Sequence, residues 1–175
     1  PGSWYRVARA ASEARGLDSW DSARALAGVS FAMADGYIAG FKIRYVYDFW
    51  RPVTAIREAA EDGNDATVAD PNWNSNQNTP SVSDYPSTQS IFSGAAAVVL
   101  ASFLGTDQVA FTITSGPPFA NIKRSYTSLS QAARESADSR IYAGIHFRSA
   151  CEDGLVLGRK IGQRVAISTL QPLRN

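Results

Sequence analysis

The sequence predicts a mostly helical protein, all-α in class, folded as one domain over residues 1–175. Three observations carry this. Apolar residues recur at helical spacing in successive segments, helix-start and helix-stop residues bracket those segments, and only one short stretch alternates as a strand does. With 175 residues, 45% of them hydrophobic, the chain can bury a sizeable core. There are no internal repeats and no linker of the kind that separates domains.

In order, "SWYRVARAASEARG" sets Trp4, Val7, Ala8 and Ala11 on one helical face and stops at Gly16. Asp18 or Ser19 can cap the next helix, which covers most of 19–49; Gly28, Gly36 and Gly40 within it permit close packing of a neighbour. Arg51-Pro52 interrupts it, and "PVTAIREAAED" reads as a short helix with proline in its first turn. Residues 62–84 carry turn formers without apolar period, a loop long enough to suggest function. "PSTQSIFSGAAAVVLASFLG" opens the next helix, and "QVAFTITSG" alternates as a short strand or extended arm. "SYTSLSQAARESADSR" and "FRSACEDGLVLGRKIGQRVAIS" are two further amphipathic helices.

Composition removes several function classes. A net charge of +1 gives no global field for nucleic acid or a membrane surface. The single cysteine, Cys151, excludes an internal disulfide and a cysteine metal cluster. The apolar run around Ala95–Leu104 is about half of what a membrane span requires. No signal peptide is visible, and because the chain starts at Pro1 rather than methionine its compartment cannot be inferred.

Three polar stations carry the chemistry. In "RYVYDFWRP", Arg44 and Arg51 are seven residues apart, two helical turns, so both guanidiniums would project from one face. In "YPSTQS", Ser87 and the Thr88 amide sit at a helix start, where unpaired N–H groups and the dipole favour an anion. In "SRIYAGIHFR", Arg140 precedes His146, the chain's one histidine. Neighbouring guanidiniums keep such an imidazole neutral, as suits a ligand or nucleophile facing an anion. Together they make a site for a tetrahedral or trigonal oxyanion, since the guanidinium fork donates two hydrogen bonds at once.

Each station also has an ordinary explanation: solvated arginines, a simple serine N-cap, a histidine near a helix end. Gly154, Gly158 and Gly162 are not a phosphate loop, because the Lys-Ser/Thr ending is absent and four-residue spacing indicates helix–helix contact. Asp35, Asp48, Glu152 and Asp153 have no further histidine to pair with, which argues against zinc or di-iron. Singly the stations are weak; in this order they are strong.

The order R-x6-RP, YPS-x-x, SR-x5-H resembles the K-x6-RP, PSGH and SR-x5-H signature of the vanadium-dependent haloperoxidases and the type 2 phosphatidic acid phosphatase superfamily. "FWRPVTAIR", "YPSTQSIFSGAAA" and "DSRIYAGIHFR" are similar to the bacterial haloperoxidase-like branch, and the resemblance runs from about Trp4 to Val165. It implies a helical bundle of the haloperoxidase and acid phosphatase type. It also implies that the chain is the C-terminal, site-bearing part of a longer helical protein, associated with that missing part or with further copies of itself. Secretion or a periplasmic location fits the resemblance.

For the site, the resemblance makes His146 the residue bonded to the metal of vanadate, or the nucleophile if phosphate occupies the same place. Arg51, Arg140, Ser87 and the Thr88 backbone would hold the equatorial oxygens. Arg44 stands where the family has lysine, Thr88 where it has glycine, and Ala150 where some members have an aspartate four residues after the histidine, leaving its second nitrogen to another acceptor. Gln89 replaces the acid–base histidine and cannot shuttle a proton near neutral pH. The implied activity is oxidation of halide by hydrogen peroxide, with an organic acceptor, impaired or altered at Gln89. The alternatives are a phosphatase acting on phosphomonoesters and a non-catalytic oxyanion-binding homologue.

Overall fold

The computed structural model describes residues 2–116 and 121–171; Pro1, the chain start discussed above, lies outside them. The elements are α1 (Gly2–Ala14), α2 (Ser19–Tyr47), α3 (Pro52–Arg57), a 3-10 turn (Ala59–Glu61), α4 (Thr88–Leu104), β1 (Phe111–Thr114), β2 (Lys123–Tyr126), α5 (Leu129–Tyr142) and α6 (Arg148–Ser168). α4 runs through the middle, packed on α6, α2 and α5. Nearly every side of it is buried, from Ser90 to Leu104. A helix that is apolar all round belongs inside a bundle.

Local signals set the helix ends. The expected face of α1, Trp4, Val7, Ala8 and Ala11, is buried, and the Trp4 indole donates to Ser93 Oγ on α4 at 2.9 Å. Gly16 turns the chain at φ 66°, as an L side chain rarely does, and its N–H caps the Glu13 carbonyl at 3.0 Å. The Asp18 carboxylate then accepts from the Asp21 N–H at 2.8 Å and starts α2.

The glycines at four-residue spacing in α6 do bring two backbones together. A Cβ on Gly154 would lie 2.8 Å from the Ser87 carbonyl oxygen, one on Gly162 would lie 2.6 Å from that of Ala95, and one on Gly158 would overlap Ile91. From the other side, a Cβ on Gly94 would meet the Leu155 carbonyl at 2.7 Å. Gly36 and Gly40 of α2 receive the Ile91 side chain in the same way.

Two expectations need correction. Ser125 and Tyr126, read as the start of a helix, belong to β2, which pairs antiparallel with β1 (Phe111 opposite Tyr126, Thr114 opposite Lys123). The Phe111 and Tyr126 rings pack 5.3 Å apart over the core, a gain that local periodicity does not register, and α5 begins only after its N-cap Ser128. Arg44 and Arg51 do not share a helix face. α2 stops at Tyr47, where Asp48 takes a left-handed φ of 38°, and Arg51 is the extended N-cap residue of α3. Among the described residues no helix is long and apolar enough to cross a membrane.

The seam yields a prediction. Gly158→Ala should destabilise the protein by about 1–3 kcal/mol or more, because the added methyl meets backbone that cannot swing aside. Val156→Ala, on the 41%-exposed side of the same helix, should change stability by under about 0.5 kcal/mol. Urea denaturation of the two variants checks the contrast; equal losses would mean that the helices can separate at no cost.

Candidate oxyanion site

α2, α3, the 62–87 segment and the α5–α6 turn meet at one end of the bundle. Arg44, in the last turn of α2, is 5% exposed, and its Nε and Nη2 both donate to the Pro86 carbonyl, at 3.1 and 3.0 Å. Arg51 is equally buried. Its Nε donates to the Val82 carbonyl at 2.8 Å and its Nη1 to that of Ile145 at 2.6 Å. Nη1 also lies 3.2 Å from Nε2 and 3.4 Å from Nδ1 of His146. Arg51 Nη2 is buried with no partner.

Local geometry delivers His146. α5 ends on Gly144 at φ 74°, whose N–H caps the Ile141 carbonyl, and the Ile145 N–H returns to the Arg140 carbonyl at 3.2 Å. This reversal sets His146 back toward the end of α5 that carries Arg140. Phe147 then packs edge-on to Phe49, two residues before Arg51, with ring centroids 5.7 Å apart.

The loop expected to be functional closes the site. The Asp84 N–H donates to the Phe49 carbonyl at 2.8 Å, and Ser83 Oγ donates to that of Arg44 at 3.3 Å. Asp84 itself is fully buried, its Oδ1 2.7 Å from His146 Nδ1 and 3.6 Å from Arg51 Nη1. It lies outside the expected set. Its one sequence signal is position, three residues before Ser87 in "SDYPS", where nothing local announces a partner 62 positions away.

Electrostatics follow from this burial. Desolvation pushes the Arg51 guanidinium down to about 10, opposed by Asp84 and assisted by Arg44 and Arg140, so Arg51 feels all three charges. Arg44 and Arg140 are lowered by burial too. Burial also pushes His146 below its ordinary value; Asp84 opposes that shift, and Arg51 and Arg44 add to it. The ring is therefore neutral at neutral pH.

Ser87 is fully buried and caps α4, its Oγ accepting from the Ser90 N–H at 3.4 Å. Its own N–H donates to the Ala150 carbonyl at 2.9 Å. The first-turn amides of Thr88 and Gln89 have no intrahelical acceptor, and Thr88 Oγ1 is buried without a partner. Gln89 behaves differently: its Nε2 donates to Ser136 Oγ on α5 at 3.2 Å, and no described contact joins it to His146 or the arginines. A surface groove of about 570 Å³ between α4, α5 and α6 contains none of these residues. A recess of about 460 Å³ lined by Phe41, Tyr45 and Val82 reaches Arg44.

Fold and helix order define a helical bundle of the vanadium haloperoxidase type. The chain belongs to the family described as the VCPO second helical-bundle domain, which matches residues 24–175. It is similar to the crystal structure of a bacterial vanadium-dependent iodoperoxidase: 33% identity, TM-score 0.82, covering 95% of this chain and 38% of that one. Holo and apo structures of a bacterial vanadium-dependent chloroperoxidase share the fold at 20% identity and TM-score 0.68, covering 81% of this chain and 34% and 35% of theirs. The chain thus spans little more than a third of the length of these structures. No curated protein matches it.

Because His146 is the chain's only histidine, its titration can be read in stability. The folded ring's pKa lies below the 6.5 of the free side chain, so between those values the unfolded chain binds a proton that the folded one does not. Stability should be fully present above pH 6.5 and fall as pH drops toward the folded value, by up to about 1.4 kcal/mol per pH unit. Denaturation from pH 7.5 to 5.5 should show this slope in the wild type and lose it in His146→Asn; identical slopes would mean that burial does not perturb the ring.

Proposed function

We propose that this protein is the site-bearing helical domain of a vanadate-dependent, haloperoxidase-like enzyme that oxidises halide with hydrogen peroxide. One observation carries the reading: buried Arg51, with an unpartnered Nη2, lies beside a neutral histidine and feels both Arg44 and Arg140, against the single carboxylate of Asp84. Buried Arg44 and Arg51 and half-buried Arg140, against one carboxylate, leave an excess of positive charge that is costly until an anion neutralises it. The unpartnered Arg51 Nη2 is a donor waiting for an acceptor, and the Ser87 hydroxyl and Thr88 amide are further donors. Donors in excess of the one carboxylate, around an imidazole, fit vanadate and phosphate alike. The 33% identity to an iodoperoxidase favours vanadate.

In this reading the three arginines, Ser87 and the Thr88 amide would hold the oxygens of vanadate, and a ring nitrogen of His146 would bind its metal. The bound oxyanion supplies an acidic centre that activates hydrogen peroxide toward halide. Arg44 and Arg51, held by backbone carbonyls in a desolvated site, would offset developing negative charge without reorganising. Gln89 can donate or accept a hydrogen bond but cannot move a proton at neutral pH. Its tether to Ser136 favours a second reading, an oxyanion-binding homologue with little turnover.

The sign of the vanadate effect tests the function. With halide and peroxide, added vanadate should switch activity on; inhibition of phosphomonoester hydrolysis instead would make the protein a phosphatase with His146 as nucleophile. Vanadate and phosphate should both raise the thermal midpoint, and Arg51→Ala should abolish the rise. Gln89→His should increase turnover at least about tenfold, part of the usual acid–base contribution, and change oxyanion affinity far less. An unmoved rate and pH profile in Gln89→His would favour the binding homologue.

A further inference from the structure

The imidazole of His146 has a carboxylate against one of its nitrogens only. A carboxylate oxygen of Asp84 lies 2.7 Å from Nδ1, whereas Nη1 of Arg51 lies at nearly equal distances from both nitrogens, 3.2 Å from Nε2 and 3.4 Å from Nδ1, and so favours neither tautomer. A carboxylate only accepts, and a neutral ring carries one proton and one lone pair. The Asp84 carboxylate stabilises the proton at Nδ1, which leaves the lone pair at Nε2. The opposite tautomer would aim a lone pair at a carboxylate, which is repulsive in a site shielded from water.

We propose that Asp84 is the positioning residue of this site: it holds the Nδ1 proton of His146, fixes the tautomer and ring orientation, and so presents the Nε2 lone pair to the oxyanion. The inference rests on the oxyanion reading above and adds what that reading leaves open, which nitrogen bonds and what aims it. Asp84 fits the role structurally. It is 0% exposed, and its backbone N–H is tied to the Phe49 carbonyl at 2.8 Å, two residues before Arg51. Neither carboxylate oxygen accepts a hydrogen bond in the described structure, and the charged groups that approach it are His146 Nδ1 at 2.7 Å and Arg51 Nη1 at 3.6 Å. Ala150, four residues after the histidine, has no acceptor side chain to offer instead.

Ring-nitrogen NMR on the ¹⁵N-histidine-labelled protein reads the tautomer directly, and the one histidine removes any assignment problem. At pH 7.5 the wild type should show a protonated Nδ1 and an unprotonated Nε2. An Nε2–H tautomer overturns the proposal without any variant. In Asp84→Leu the single tautomer should be lost, and orthovanadate should bind about tenfold or more weakly, the usual effect of removing the group that orients a ligating histidine. Inorganic phosphate, held by the arginines, should change by less than about threefold, which also reports that the variant is folded. Orthovanadate affinity unmoved in Asp84→Leu but reduced in His146→Ala overturns the role of Asp84 and leaves the oxyanion site standing. Orthovanadate affinity unmoved in His146→Ala overturns the oxyanion reading itself.

Discussion

The close approach of α4 and α6 is the constraint on which the site depends. Gly154 lies against the Ser87 carbonyl, and the Ser87 N–H bonds to the Ala150 carbonyl, so the start of α4 is fixed to the first turns of α6. His146 lies two residues before α6 begins, and Ser87 is the cap of α4. A seam of missing side chains thus sets the distance between the start of α4 and the histidine. Substituting bulkier residues along it would push apart groups far from the substitution, since packed interiors transmit strain.

Burying Arg44 and Arg51 needs acceptors, and the backbone supplies them. The carbonyls of Pro86, Val82 and Ile145 accept from the two guanidiniums, two of them from the long loop and one from the α5–α6 turn. These bonds aim the guanidiniums without neutralising them; Asp84 does that in part. The loop is therefore a wall of the site, anchored at Trp73 and Asn74 by Arg57 and at Asn76 by the Tyr142 carbonyl. Its lack of periodicity reflects this work: carbonyls turned toward arginines are not available to a helix or a sheet.

Local chemistry made most of the fold legible. Asp18, Ser87 and Ser128 cap helices through their own side chains, Gly16 turns the first corner, and the α6 glycines meet a neighbouring backbone. The strand β2 was not legible, because Ser125 and Tyr126 gain their pairing from β1, beyond any helical window. The argument from two turns of one helix failed for Arg44 and Arg51, yet their charges do interact; a chain break and a turn accomplish what helical spacing was expected to do. Asp84 was invisible for a related reason. Its meaning comes from a nitrogen contributed by a different element, and residue type at a position does not encode that.

Gln89 belongs to the packing of the bundle. Its amide donates to Ser136, which itself accepts from Ser93, the hydroxyl that receives the Trp4 indole. Gln89 is thus joined to a polar chain that ties α1, α4 and α5 together, while the polar groups around His146 rest on other parts: a capped helix start, arginines braced on carbonyls and a glycine turn. Replacing Gln89 therefore alters a structural network as well as the position to which the proposed function assigns proton transfer. In that proposal oxyanion affinity does not pass through the network, so binding and turnover can be lost separately.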